Sequence, residues 1–337
     1  MFDFSTFLNL PLIFVGIIAF AIFMYVVLDG FDLGIGILFP YAPTAQCRDK
    51  MMNSVAPFWD GNETWLVLGG GGLMAAFPLA FAVILPTFYI PIILMLLGLI
   101  FRGVAFEFRF KAHNKFEQKI WNYSFHFGSL IATFFQGVML GAYIKGDVFQ
   151  SSAGNFDWLS GFSIFCGIGL IFGYALLGST WLIIKTHDQT HIWAKKVAIY
   201  LMFIVAIFVA LVSLITPILR EEIFARWFSL PNIFYLSSIP FFTIAAFLLM
   251  FSALFSKNEK LPFICAIAIF VLCYLGLAVS LYPYLVPYQI TYSGAAASGP
   301  SLSLTLIGVA ITMPAILAYT FYSYHIFRGK VTHEHLY

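Results

Sequence analysis

The sequence predicts an all-α, polytopic membrane protein of nine spans. Two features of the residues point to membrane helices. Of the 337 residues, 61% are apolar and only 9% charged, whereas soluble domains carry about 25% charged residues. The apolar runs are about 20 residues or longer, enough to cross a bilayer as helices. They lack the alternation over about 10 residues that a spanning strand requires.

The first predicted helix, 11–40, is an apolar run that ends in DGFDLGIGILFP. The second, 54–76, opens on a polar WDGNET segment and closes on the run Gly69 to Gly72. Phe77 and Pro78 separate it from the third, 78–106, because proline cannot continue a helix but suits the first turn of the next. The fourth, 118–145, follows the charged KAHNKFEQK. The fifth and sixth, 158–185 and 193–217, flank the polar KTHDQTH. The seventh and eighth, 234–256 and 261–283, form a hairpin about SKNEK, and the ninth is 302–327. The longest polar connections, 41–53, 107–117, 146–157 and 218–233, leave no room for a soluble domain. Residues 284–301 read as an outer loop apolar enough to lie on the membrane or under a partner. Residues 1–337 therefore form a single integral membrane domain. The opening MFDFSTFLNL has no basic n-region, so the first span is expected to be retained.

Basic residues set the orientation. Of 17 Lys and Arg, 13 fall after the first, third, fifth and seventh helices or in the C-terminal tail: Arg48, Lys50, Arg109, Lys111, Lys115, Lys119, Lys185, Lys195, Lys196, Lys257, Lys260, Arg328 and Lys330. Lys145, Arg220 and Arg226 lie on the other side, and Arg102 within or at the edge of the third helix. This asymmetry places the N-terminus outside and the C-terminus in the cytoplasm.

A net charge of +2 suggests no nucleic-acid partner. The four cysteines form no CxxC or CxxCH, so neither structural zinc nor covalent haem is indicated. His126 and His325 are the histidines well inside apolar runs. They could face each other as haem ligands or be satisfied interior histidines, and the second reading is favoured. Gly30 and Gly34, Gly137 and Gly141, and Gly169 and Gly173 are each spaced for close helix contact.

Acidic residues in the first two helices are the main functional clue. A charge in hydrocarbon costs roughly 3 kcal/mol or more, so such residues face a partner, a cavity or a proton route. At about 1.5 Å per residue, Asp29 lies near the inner end of the first helix. Asp60 and Glu63 fall about 9 and 14 Å into the second, and Arg102 and Glu107 near the inner boundary of the third. Asp29 and Asp32, like Asp60 and Glu63, are three residues apart and share a helix face. Like charges this close cannot all ionise in a low dielectric, and Arg102 is the one basic residue available to them. The cluster reads either as a proton-conducting group or as an ion-paired plug that fixes helix packing.

The segments LDGFDLGIGIL, NSVAPFWDGNETWLVLGGGGLMAAFP and LIFRGVAFEFR strongly resemble subunit II of cytochrome bd-type quinol oxidases. So do residues 127–146 and the closing LAYTFYSYHIFRGKV, whose compact tail is similar to the cyanide-insensitive branch. The resemblance covers essentially the whole chain. It implies a bacterial inner-membrane oxidase that takes electrons from quinol and reduces dioxygen to water, with haems b and d and the main quinol site in the partner subunit I. This chain then carries no obligatory haem ligand and no metal, shares the subunit I fold of two four-helix bundles plus one peripheral helix, packs against subunit I as a pseudo-symmetric partner, and helps conduct protons from the cytoplasm. By the same resemblance Asp60 and Asp29 match proton-route positions, while Trp59 and Arg102 match positions tied to haem d stability. Some members hold a structural quinone in this subunit, although no motif here assigns it residues, and small single-span subunits are further expected partners. Glu63 departs mildly from the pattern, since other members carry an amide there. A proton-coupled secondary transporter using Asp29, Asp60 and Arg102 is the alternative, and a purely structural role toward subunit I is a third reading.

Overall fold

The computed structural model describes residues 8–150 and 153–331. The expectation about a leader falls largely on residues 1–7, outside the described residues. Fourteen helices are present among the described residues. In order they are α1 Leu10–Leu38, α2 Ala45–Asn53, α3 Trp59–Ala76, α4 Pro78–Thr87, α5 Tyr89–Arg109, α6 Lys115–Lys145 and α7 Gly161–Lys185. There follow α8 Asp188–Leu219, α9 Glu221–Phe228, α10 Asn232–Leu236, α11 Ser238–Phe255, α12 Leu261–Leu281, α13 Tyr292–Ala295 and α14 Gly299–Ile326. Strands β1 Tyr284–Val286 and β2 Ile290–Thr291 pair antiparallel between α12 and α13.

Eight helical segments among the described residues are long and apolar enough to cross a membrane. The second predicted span, α3, is not among them. Its first half carries Asp60, Asn62 and Glu63 and its second half four glycines, so composition alone does not mark it as a crossing. It begins at Trp59 rather than 54. Residues 54–58 form successive turns, because Pro57 disfavours helical backbone at Ala56. The third predicted helix is broken at Phe88 and extends to Arg109. Pro86 and Pro91 flank the break, and each removes a backbone donor that a continuous helix would need. The predicted connections are also more ordered than expected: 41–53 contains α2, 218–233 contains α9 and part of α10, and 284–301 contains the β-hairpin and α13.

Local caps account for the long helices. Asn114 Oδ1 accepts from Glu117 N at 2.9 Å to start α6, and Gly146, at φ +73°, ends it in the left-handed conformation. Ser160 and Ser163 form a capping box at the start of α7.

Two distinct ends result. At one, Arg109 meets Asp49 at 2.6 Å, Lys50 meets Asp188 at 3.9 Å, and Val331 N donates to Lys185 O at 2.8 Å. This end gathers most of the basic loops and is called the basic end below. At the opposite end Asp147 pairs with Arg220 and Lys145, and Ala297 N donates to Ala76 O at 2.9 Å. α3 and α6 pack on α1, and α5 on α6; α8 and α12 pack on α7, and α11 on α12 and α8; the α1–α7 and α6–α7 contacts join the two groups. α14 rests on α3 and α1.

Glycine permits the tightest of these contacts. A Cβ on Gly34 would strike the Tyr174 carbonyl, and Gly178 faces Gly34 across the α1–α7 contact. A Cβ on Gly128 would come within 2.8 Å of Arg102 N, so this glycine lets α6 seat the backbone from which Arg102 projects.

Candidate functional site: a buried arginine among carboxylates

The site lies where α1, α3 and α5 meet, toward the basic end. α1 presents Asp29 and Asp32, α3 presents Asn62 and Glu63, and α5 presents Arg102. Asp29, Asp32 and Arg102 are fully buried. Arg102 Nη1 lies 2.8 Å from Asp29 Oδ1 and 2.9 Å from Glu63 Oε1, and Nη2 lies 3.7 Å from Asp32 Oδ2. The planar guanidinium suits this arrangement, since its fixed fork can address several carboxylates at once. Three carboxylates around one cation leave an excess of negative charge if all are ionised.

Neutral side chains extend the cluster in two directions. Asn62 Nδ2 donates to Asp32 Oδ2 at 2.6 Å and to Leu28 O at 3.2 Å. Tyr324 of α14 donates to Asn62 Oδ1 at 3.0 Å. Beside this pair is a crevice of about 10 Å³, the room of roughly one water, lined in part by Gly61, Thr320 and Ser323. In the other direction Tyr25, one turn before Asp29 on α1, accepts from Gln136 Nε2 at 2.6 Å. Tyr174 of α7 in turn donates to Gln136 Oε1 at 2.9 Å.

The sequence-predicted residues divide into two sets. Asp29, Asp32, Glu63 and Arg102 converge as expected. Glu63 is the member that reaches the surface, with its side chain 29% exposed. Asp60 does not join them. It sits in the first turn of α3, exposed on the outer face, and the charges that reach it are those of Glu107 and Arg102. The later start of α3 moves it toward the helix end. Trp59 stacks on Phe106 at 5.0 Å and 6°, and Phe106 also lies 5.9 Å from the Arg102 guanidinium. Trp59 therefore braces the site through a shared ring.

His126 and His325 do not form a pair. His126 Nδ1 contacts Gly36 O at 3.1 Å, while His325 lies beside Arg328 and stacks on Phe321. Among the described residues no group of three or more His, Cys, Asp or Glu is placed to hold a metal ion.

Sequence reasoning missed Tyr25, Asn62, Gln136, Tyr174 and Tyr324. Part of the signal was present: His126, Ser129, Thr133 and Gln136 follow the i, i+3, i+7, i+10 spacing of one helix face. All but Gln136 are buried among the described residues. The partners on α7 and α14 lie too far along the chain for any local pattern to find.

The family model described as cytochrome bd terminal oxidase subunit II matches residues 10–327. The cytochrome bd ubiquinol oxidase subunit 2 of Bacillus subtilis is 28% identical over 325 residues, covering 91% of this chain and 92% of that one. The Escherichia coli K12 cytochrome bd-I ubiquinol oxidase subunit 2 is 32% identical over 183 residues, covering 52% of this chain and 48% of the relative. The match thus spans about half of that relative's length. The solved bd oxidase of Geobacillus thermodenitrificans shares the fold at a TM-score of 0.72 and 12% identity, covering 95% of this chain and 99% of that one. These matches set aside the transporter reading. The chain belongs to the cytochrome bd terminal oxidase subunit II family and is a multi-pass membrane component of an oxidoreductase.

Proposed function

We propose that this chain packs against a haem-bearing subunit I in the bacterial inner membrane and passes protons from the cytoplasm toward the site of dioxygen reduction. Quinol supplies the electrons, and haems b and d reside in the partner. The observation that carries the reading is the convergence of Asp29, Asp32 and Glu63 on buried Arg102, with Glu63 part-exposed. On this reading Asp60 is the outer acceptor, Glu63 the next, and the pair Asp29 and Asp32 the inner store. Glu63 and Asp60 are three residues apart, and the charge of Asp60 acts on Glu63.

The α3 surface supports a partner there. Asp60 and Val67 are exposed along it, and nothing lies within 4 Å of a Cβ built on Gly70 or Gly71. An uncovered carboxylate against lipid is costly, whereas glycines admit a close helix. The basic end corresponds to the cytoplasm by the positive-inside rule. Counting α3 as a crossing gives nine spans, in two four-helix groups plus α14.

Among the described residues His126 and His325 lie in separate settings, beside Gly36 O and beside Arg328, so they offer no pair of axial haem ligands. The crevice beside Asn62 is too small for a quinone ring. A structural quinone and small single-span subunits are assigned no residues here. When bound in the partner, the haems supply the oxygen-reducing centre. This chain's residues hold and move protons and brace Arg102.

The test is Asp60→Asn in the intact complex, read by quinol-dependent oxygen consumption together with the reduced-minus-oxidised spectrum. Slower turnover with an unchanged spectrum is expected. Unchanged turnover removes Asp60 from the route, and loss of the haem d signal without a proton defect favours a structural role.

A further inference from the structure

A second polar feature lies away from the carboxylate cluster, at the basic end between the start of α8 and the α11–α12 hairpin. A cavity of about 300 Å³ opens there. Its floor includes Ile183 and Leu254, and its rim His191, Lys195, Lys257 and Glu259. Glu259 is already neutralised. Lys330 of the C-terminal segment meets Glu259 Oε2 at 2.7 Å, and His191 lies 3.8 Å from its other oxygen. Lys195 and Lys257 enter no ion pair among the described residues. The cavity is therefore lined by two ammonium groups that enter no ion pair among the described residues, over an apolar floor.

What leads away from it is also informative. Phe203 of α8 and Phe251 of α11 meet at 6.0 Å, and Phe251 continues to Phe255 at 5.1 Å. All three rings are exposed. Phe203 is eight residues from Lys195, about 12 Å along α8 toward the membrane interior. A cavity with two lysines, on the same helices as a row of exposed aromatic rings, matches a molecule with an anionic head and hydrocarbon tails. Free phosphate would use the first feature and not the second.

We infer that this cavity binds the phosphate headgroup of an anionic phospholipid, with Lys195 and Lys257 as the cationic contacts and the Phe203–Phe251–Phe255 furrow taking an acyl chain. Basic pockets between helices at a membrane face are suited to such headgroups. The Lys330–Glu259 pair contributes by removing the one carboxylate that would repel the phosphate.

The experiment uses the complex purified through this chain and reconstituted in phosphatidylcholine with spin-labelled phosphatidylglycerol. The wild type should show a motionally restricted lipid component at this site. Lys195→Ala with Lys257→Ala should lower the relative affinity roughly thirtyfold, and the corresponding Lys→Arg pair should retain it. Inorganic phosphate should compete poorly, because it cannot use the furrow. Retention of the labelled lipid by the double alanine variant would overturn the proposal, as would displacement by inorganic phosphate as effective as displacement by unlabelled phosphatidylglycerol. Should the double alanine variant fail to assemble, a headgroup-photoreactive phosphatidylglycerol on the wild-type complex should mark peptides spanning 191–195 and 256–260. Absence of adducts there counts equally against it.

Discussion

Glu63 Oε1 lies 2.9 Å from Arg102 Nη1, so a carboxylate on the partly exposed face of α3 touches a guanidinium that is fully buried. This contact joins the surface of the protein to its charged interior. The same guanidinium holds Asp29 and Asp32, so its removal should be far more damaging than removal of any one carboxylate. Breaking a buried ion pair by deleting one partner costs about 3–5 kcal/mol, because the other charge is left uncompensated. Arg102→Met is therefore expected to lower the thermal midpoint and yield of the complex sharply. Adding Asp29→Asn and Asp32→Asn should recover part of the loss. An Arg102→Met complex as stable as the wild type would contradict the ion-pair account.

Glu63 itself should behave differently. It is part-exposed, and pairs of that kind contribute about 1 kcal/mol or less. Glu63→Gln keeps an oxygen for Arg102 but cannot carry a proton. The expected result is near-normal assembly and haem spectrum with oxygen consumption reduced roughly tenfold to a hundredfold, the scale of a lost acid–base group. Equal turnover in the two proteins would exclude Glu63 from the route.

Gln136 fixes the direction of the hydrogen bonds that reach Asp29. Its amide nitrogen donates to Tyr25 and its oxygen accepts from Tyr174, which leaves the Tyr25 hydroxyl proton available to the Asp29 carboxylate beside it. Gln136→Leu should cost about 1–3 kcal/mol, because it strands two buried hydroxyls. Tyr25→Phe and Tyr174→Phe in the same background should restore much of that stability. A double-mutant cycle measures the coupling, and additive effects would show that the three side chains do not act together.

Much of this architecture was legible in the residues, for identifiable reasons. Apolar length places most crossings, and the spacing of Asp29 with Asp32 and the isolation of Arg102 among apolar residues point to their meeting. The break at Phe88 was less visible, since either flanking proline alone is tolerated near a helix start. Asp60 stands apart from the cluster because α3 begins at Trp59, after Pro57, which puts Asp60 in the exposed first turn. The Tyr25–Gln136–Tyr174 and Asn62–Tyr324 links depend on how α6, α7 and α14 pack, which no local pattern encodes.

The opposite end of the molecule carries a pH-sensitive clamp. Asp147, just beyond α6, pairs with Lys145 at 3.0 Å and with Arg220 at the end of α8, and Arg220 in turn lies over the Tyr288 ring at 4.8 Å. Burial alone would raise the Asp147 pKa, but the hydrogen bonds and charges of Lys145 and Arg220 together outweigh it and hold the carboxyl below its ordinary 3.8. A depressed carboxyl stabilises the fold above its unfolded value, and that contribution is lost as pH falls through the folded value. The clamp should therefore be fully effective at neutral pH and fail only in strong acid. Asp147→Asn should lower the thermal midpoint slightly at neutral pH, since the pair is partly exposed. The gap between variant and wild type should then close as pH falls below the ordinary carboxyl value of 3.8. A gap that stays constant across that range would show that Asp147 stabilises this end through packing and not through its charge.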